Sequence, residues 1–470
     1  MFKTTKSIDE SCLICYNNYK SNTRGGKFVV VLENIVSSVN SFLWDFFLLF
    51  ALVGTGVWFT IRTKGIQIRY FTRGFKQVFG NIKLSGDKAG KDGMSSFQAL
   101  ATSIAAQVGT GNLAGAATAI ASGGMGAIFW MWVSAFFGMA TNFVEASLAQ
   151  KYKTVGDDGA VTGGPVYYIR AAYKGAFGKV LAALFSVFIV LALGFIGNMV
   201  QSNSIGDAFH TAFGINPLII GVIVAALAFF IFLGGVGSIA SVTEKIVPIM
   251  AAFYLIGGLV CIFVNVFAPK ALFGGAVGTS VQLAIRYGVA RGLFSNEAGM
   301  GSTPHSHALA KVNHPCEQGC TALMGVFIDT FIVLTMTALV IGTSGILEGS
   351  EQMSGITLTQ AAFDSGLGAL GAPFIAICMF FFAFSTIVGW YFFGEQNIRY
   401  LFGSKAVKPY AIIVCACIIC GCALKVDLVW AMADMFNGLM VIPNLLGLLP
   451  LTKVFLELMS DFEKQPAKAK

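Results

Sequence analysis

Charged side chains are scarce in this chain. Asp, Glu, Lys and Arg make up only 11% of its 470 residues, where a soluble globular protein carries about 25%. That scarcity, beside 56% hydrophobic residues, excludes a water-soluble fold, because too little polar surface is left to cover one. Fifty-five glycines bring apolar residues plus glycine to roughly two-thirds of the chain, against about half in ordinary domains. Catalytic constellations are missing too. No Ser-His arrangement is visible, and nothing in the sequence brings the intramembrane Asp329 and Asp434 together. The net charge of +8 does not indicate nucleic acid, because the basic residues fall in loops between apolar runs.

Metal chemistry has equally little to stand on. Cys415, Cys417, Cys420 and Cys422 lie in an apolar helical run, where cysteine behaves as a small hydrophobe. Cys12 and Cys15 have metal-like spacing but no second pair. His305 and His307 sit two apart, a poor ligand geometry on a helix, and read as structural. No cofactor is expected.

What the chain has in abundance is apolar runs of the roughly 20 residues that cross a bilayer. Eleven are read, at 41–61, 96–122, 127–150, 179–204, 217–235, 244–267, 280–303, 319–343, 371–397, 408–424 and 428–452. The expected fold is therefore an all-α polytopic membrane protein in a plasma membrane. Lys and Arg in alternate loops set its orientation. One side carries 22, including the tail at 453–470; the other, past residue 40, carries only Lys270 and Lys425. The basic side, with the C-terminus, is expected to be cytoplasmic, and an odd number of spans puts the N-terminus outside.

The segment 1–40 conflicts with that orientation, since Lys3, Lys6, Lys20, Arg24 and Lys27 would be carried outward. It also lacks a signal-peptide core. Arg24-Gly25-Gly26 followed by Val29, Val30 and Val31 is what a purine-rich ribosome-binding sequence and a GTG start would encode if read through. The expectation is that residues 1–30 form a mis-assigned extension.

Two spans are poor helices. One holds Val108-Gly109-Thr110-Gly111-Asn112 at its middle; the other holds Ser295-Asn296-Glu297-Ala298-Gly299-Met300-Gly301-Ser302 and then Pro304. Each interior glycine costs a helix about 1 kcal/mol, and unwound backbone at membrane depth survives only where it is buried in protein or lines a cavity. After a leading helix at 41–61, ten spans remain, and the broken ones stand first and sixth. The arrangement reads as two five-helix units, 96–267 and 280–452, the second inverted. Paired interrupted helices point to a transporter's central site.

Four segments carry a resemblance: Thr102 to Gly115, Gly197 to Asn203, Arg291 to Ser302 and Phe384 to Tyr391. From about Phe42 to Glu457 the chain resembles the alanine or glycine:cation symporter family. The resemblance implies the leucine-transporter fold, preceded by one extra helix. It also implies uptake of small neutral amino acids, chiefly alanine and glycine, driven by sodium or, in some members, protons.

The candidate site follows from residues and resemblance together. Unwound backbone from Val108 to Asn112 offers N–H groups and the positive end of a half-helix to a carboxylate, and by resemblance Gly109, Thr110 and Gly111 fall at it. By resemblance, the Ala105 and Val108 carbonyls fall at a sodium site. Ser385 and Thr386, adjacent hydroxyls in an apolar span, match the hydroxyl pair that the fold offers to sodium. Gln201 is too polar for lipid and is a candidate donor to the carboxylate. Trp390, four residues past Thr386 on nearly the same face, with Phe294 and Gly299 beside the second break, would wall the cavity. Asn112, Asn198, Arg291 and Glu297 are read as braces or gates, Arg291 with an acid that the sequence does not name. Proton coupling, a channel and an intramembrane enzyme are the competing readings.

Overall fold

The structure is a computed structural model that describes residues 24–80, 93–266, 281–347, 353–423 and 427–465. Residues 1–23 with Cys12 and Cys15, and Lys270 and Lys425, lie outside the described residues. Almost everything described is helical. The strands are one short antiparallel pair, Thr154–Val155 and Val161–Thr162, in the register Thr154 to Thr162.

The leading helix α1 comprises Arg24–Phe42, a π turn at Leu43–Phe47, and Leu48–Arg62. It starts well before the expected residue 41. The reason is packing on the last long helix: Val36 is buried, the Asn40 amide donates to the Ala431 carbonyl at 2.7 Å, and the Trp44 indole donates to the Asp434 carbonyl at 3.0 Å. The first interrupted span is α2, Ser96–Gln107, and α3, Ala116–Gly123, joined by a π turn at Gly111–Gly115. Ser95 and Gln98 close a capping box at its start, each side chain accepting the other's backbone N–H. Next come α4, Gly126–Lys151, the short α5, Pro165–Ala172, α6, Ala176–Phe213, α7, Pro217–Leu233, and α8, Gly235–Val266.

The second interrupted span is α9, Val281–Asn296, and α10, Pro304–Ala308. It is followed by α11, Pro315–Thr343, α12, Gly371–Phe402, α13, Val407–Ala423, and α14, Asp427–Leu448. Shorter helices at Phe71–Phe79, Gly355–Leu367 and Thr452–Lys464 flank these. A helix stands at each of the eleven expected positions. Eight helices among the described residues are long and apolar enough to cross a membrane. The two interrupted spans fall short because the breaks cut them, and α7 because it has only 17 residues.

The outside is apolar: Phe230, Phe263, Ile249 and Ile256 are each more than 60% exposed. A water-soluble surface does not carry such a belt. The inside is polar for a membrane interior, because lipid gives helices no hydrophobic reason to associate, and close packing with interhelical hydrogen bonds must do it. Gly389 of α12 shows the packing: a Cβ there would sit 2.9 Å from the Ala106 Cβ of α2. The hydrogen bonds include Asn142 to the Ala322 carbonyl at 3.1 Å and Tyr254 to Thr337 at 2.5 Å, each contributing on the order of 0.6 kcal/mol.

Candidate functional site

The first break is narrow. Val108 leaves helical geometry at ψ 88°, Gly109 follows, and helical backbone resumes at Thr110. Two residues are unwound, fewer than the five expected, because side chains claim the freed N–H groups. The Gly109 N–H donates to Asn112 Oδ1 at 3.0 Å, and the Thr110 N–H donates to Gln201 Oε1 at 3.2 Å.

Facing this break is α12. The Thr386 hydroxyl lies 2.9 Å from the Ala105 carbonyl, 3.5 Å from that of Val108 and 3.0 Å from that of Phe382. The Ser385 hydroxyl lies 3.4 Å from the Ala105 carbonyl and 2.9 Å from that of Phe382. Thus the structure brings Ala105, Val108, Ser385 and Thr386 together, all buried. Two hydroxyls and three carbonyls are linked by hydrogen bonds where the two helices meet. That is the ligand chemistry a hard cation takes.

Gly109 is packed between Thr386 and Gln201. A Cβ there would come within 2.3 Å of Thr386 Oγ1 and 3.1 Å of Gln201 Oε1. Beside it, the Thr110 hydroxyl and the Gln201 Nε2 are buried with no hydrogen-bond partner among the described residues. Both can donate, and both flank the break. Unpartnered buried donors are costly in any fold. Asn198, one turn before Gln201, donates to the Gly194 carbonyl of its own helix at 2.9 Å.

Gly111 does not open onto free space. A Cβ there would meet Ser295 Cα at 3.0 Å, so the two broken helices cross at this point. Gln107 adds a second tie, its amide donating to the Asn296 carbonyl at 2.6 Å. The knot between them is Asp329, in the π stretch Phe327–Leu334 of α11. Its carboxylate accepts from Asn112 Nδ2 at 2.7 Å, from Ser295 at 3.0 and 3.2 Å, and from Thr330 at 2.8 Å. Asn112 therefore holds the first break at both ends. The sequence marks Asp329 as an acid within an apolar span but does not name its partners.

The second break is wider and more strained. Glu297, Gly299 and Gly301 have φ of 55°, 84° and 83°, and Pro304 starts α10 at the position where a missing N–H does no harm. The Glu297 carboxylate accepts the Trp390 indole N–H at 2.5 Å and the Ser302 hydroxyl at 2.5 Å. Trp390 is thus tied to the break by its polar tip. Phe294 stands edge-on to it at 6.1 Å and tilts against Trp430 at 6.0 Å. Gly299 belongs elsewhere: its N–H donates to Glu145 and its carbonyl accepts from Asn444. The structure does not join it to Gly109–Gly111.

Beyond the aromatic wall lies the acid that Arg291 lacked in the sequence. Its guanidinium meets the Asp434 carboxylate at 3.1 and 3.0 Å and covers the Phe294 and Trp430 rings at 5.8 and 5.7 Å. This pair lines a cavity of about 320 Å³ with Asn40, Trp44 and Arg286. His305 and His307 are buried and bonded, to Asn397 at 2.9 Å and Gln318 at 2.7 Å respectively.

Comparison with known proteins gives this geometry a lineage. Over 434 residues the chain is 42% identical to the sodium/alanine symporter AgcS of Methanococcus maripaludis, covering 90% of this chain and 95% of that one. It is 41% identical over 451 residues to the probable sodium/glutamine symporter GlnT of Bacillus subtilis, covering 94% and 92%. The amino-acid carrier protein AlsT of the same organism is 40% identical over 449 residues, covering 92% of each chain. Among solved structures, MhsT in complex with L-phenylalanine superposes with a TM-score of 0.57 at 12% identity, covering 81% of this chain and 99% of that one; such a likeness shows the leucine-transporter-type fold alone. The sodium:alanine symporter family model matches residues 29–470, and the chain, a transporter and not an enzyme, belongs to that family.

Proposed function

We propose that the chain imports small neutral amino acids, alanine and glycine foremost, together with sodium by alternating access. The observation that carries this reading is the convergence of the Ser385 and Thr386 hydroxyls on the Ala105 and Val108 carbonyls at 2.9 to 3.5 Å. Sodium there would draw α2 and α12 together, adding its binding free energy to the closed arrangement only. By linkage, sodium and amino acid tighten each other by one factor.

The cargo carboxylate fits beside Gly109, where the Thr110 hydroxyl and Gln201 Nε2 have no other partner. Trp390 and Phe294 close the space around its side chain, which favours a methyl or hydrogen over a branched chain. The helices take the arrangement of one leading helix and two inverted five-helix repeats, 96–267 and 280–452. The basic loops and C-terminus face the cytoplasm, and the N-terminus faces outward. Asn112 serves as a brace, and Arg291 with Asp434 as the outer gate.

Purified protein in liposomes tests the reading. Labelled alanine is expected to accumulate under an inward sodium gradient and not under a proton gradient alone, and excess glycine is expected to compete while leucine does not. Accumulation driven equally by a proton gradient without sodium would overturn sodium coupling.

A further inference from the structure

The second break has a partner that neither the cargo nor the cation uses. Glu145, fully buried on α4, accepts the Gly299 N–H at 3.0 Å through Oε2 and the Asn444 amide at 2.6 Å through Oε1. The Gly301 N–H is directed at the same carboxylate. Asn444 also donates to the Gly299 carbonyl at 2.8 Å and accepts the Tyr168 hydroxyl. One carboxylate on α4 therefore gathers the break and α14, and through Asn444 also α5.

Three features distinguish this group from ordinary interhelical bracing. Asn444 directly follows Pro443 within α14, and a proline there removes one bond of the helical ladder and makes that point the easiest place for α14 to bend. Both glycines are held in left-handed backbone, and a Cβ at Gly301 would lie 2.8 Å from Asn444 Cγ, so the break and α14 fit only when fully engaged. Finally, among the described residues no Lys or Arg pairs with Glu145. A buried carboxylate held by dipoles alone is an expensive brace. A carboxylate is nonetheless what the position demands, because the backbone N–H and the Asn444 amide are both donors and each needs an acceptor oxygen.

We propose that Glu145 is a positioning residue that latches the inner side of the second break and keeps transport coupled. While it is engaged, α5 and α14 cannot leave the break. The inner side opens when the Gly299 N–H and Asn444 let go together. The proposal rests on reading the chain as an importing symporter whose α10 end faces the cytoplasm. Weakening the latch shifts the population toward an open inner side whether or not cargo and cation are bound, and that state leaks.

Wild-type protein, Glu145→Gln and Tyr168→Phe, each purified and reconstituted in liposomes, decide the matter. Glu145→Gln turns an amide donor against donors; Tyr168→Phe removes only a hydroxyl at the edge of the group. Two fluxes are measured per reconstituted transporter: sodium-driven alanine accumulation, and sodium-free alanine efflux from preloaded vesicles. In Glu145→Gln, accumulation is expected to fall and sodium-free efflux to rise by about tenfold, with Tyr168→Phe moving both the same way by about threefold. A merely structural role would lower both fluxes in proportion, and that result in either variant would overturn the latch. Should Glu145→Gln fail to reconstitute, Tyr168→Phe decides alone, and wild-type fluxes in it would equally overturn the latch. Wild-type vesicles that accumulate no alanine under a sodium gradient would sink the symporter reading itself, a result visible before any variant is compared.

Discussion

The two broken helices occupy corresponding places in the chain, yet they are built to opposite plans. The first unwinds for only two residues and leaves donors unclaimed beside it, the Thr110 hydroxyl and Gln201 Nε2. The second takes three residues into left-handed backbone and is fastened on nearly every side. Asn142 accepts from Thr303 at 3.0 Å, Glu145 takes the Gly299 N–H, and the Gln150 amide reaches the carbonyls of His307, Ala308 and Ala310 at 2.5 to 3.2 Å. Under the proposed function the first break would serve for binding and the more heavily fastened second break for movement.

The largest expected effect tests that contrast directly. Gly109→Ala puts a Cβ 2.3 Å from Thr386 Oγ1, and alanine uptake should drop by at least about 100-fold. Gly299→Ala puts its Cβ 2.7 Å from a flexible Leu52 methyl in backbone at φ 84°, so it should lower thermal stability by about 1–2 kcal/mol without changing alanine affinity in a binding assay. Equal loss of alanine affinity in both variants would erase the distinction between the breaks.

Thr386→Ala comes next. Loss of one oxygen should raise the sodium concentration for half-maximal uptake about tenfold, or about 1.4 kcal/mol, and Thr386→Ser should stay within about twofold. Sodium titrations of uptake check this; a flat result in both Thr386→Ala and Ser385→Ala would move the cation away from the first break. A smaller effect is expected from Trp390→Phe, which keeps an aromatic ring of smaller size and loses the bond to Glu297. Leucine competition against labelled alanine should strengthen by a few-fold, less than the roughly 1–3 kcal/mol that a whole pocket methylene commands.

The smallest effect is a control remote from both breaks. Burial alone would raise the Asp158 carboxyl, but the Ala160 N–H and the Arg399 guanidinium outweigh it and hold it below the ordinary aspartate value of 3.8. A carboxyl depressed on folding stabilises above its unfolded value and loses that contribution as pH falls through its folded one. Asp158→Asn should therefore cost less than about 1 kcal/mol at neutral pH, since the pair is part-exposed, and the difference from wild type in thermal unfolding should vanish below that carboxyl's range.

The sequence carried the fold well because span length, glycine clusters and basic loops are all local signals. That Ser385 and Thr386 meet the first break was legible for a related reason: two adjacent hydroxyls in an apolar run and a glycine break each stand out alone. Asp329, Glu145 and Asn444 were not legible as partners. Asp329 meets Asn112 across 217 positions, and Asn444 meets Glu145 across 299; only packing of helices distant in the chain puts them together. Gly299 was misplaced for the converse reason, since a glycine in a break advertises its conformation and not the neighbour that its N–H will find. The early start of α1 likewise depends on α14, which the local composition of residues 31–40 does not reveal.

The π stretch that carries Asp329 has a consequence for phase. Such a stretch amounts to one residue more than an α-helix of the same rise would hold, and each residue advances an α-helix by about 100°. Deleting one residue within Phe327–Leu334 would relax the stretch to ordinary helix, but would rotate everything on its N-terminal side against everything beyond it. Ala322, which Asn142 bonds, lies before the stretch, and Thr337, bonded to Tyr254, lies after it. The inserted residue thus lets a single helix present one face to the breaks and a differently turned face to α8, so that the length of this helix is itself a constraint on the site.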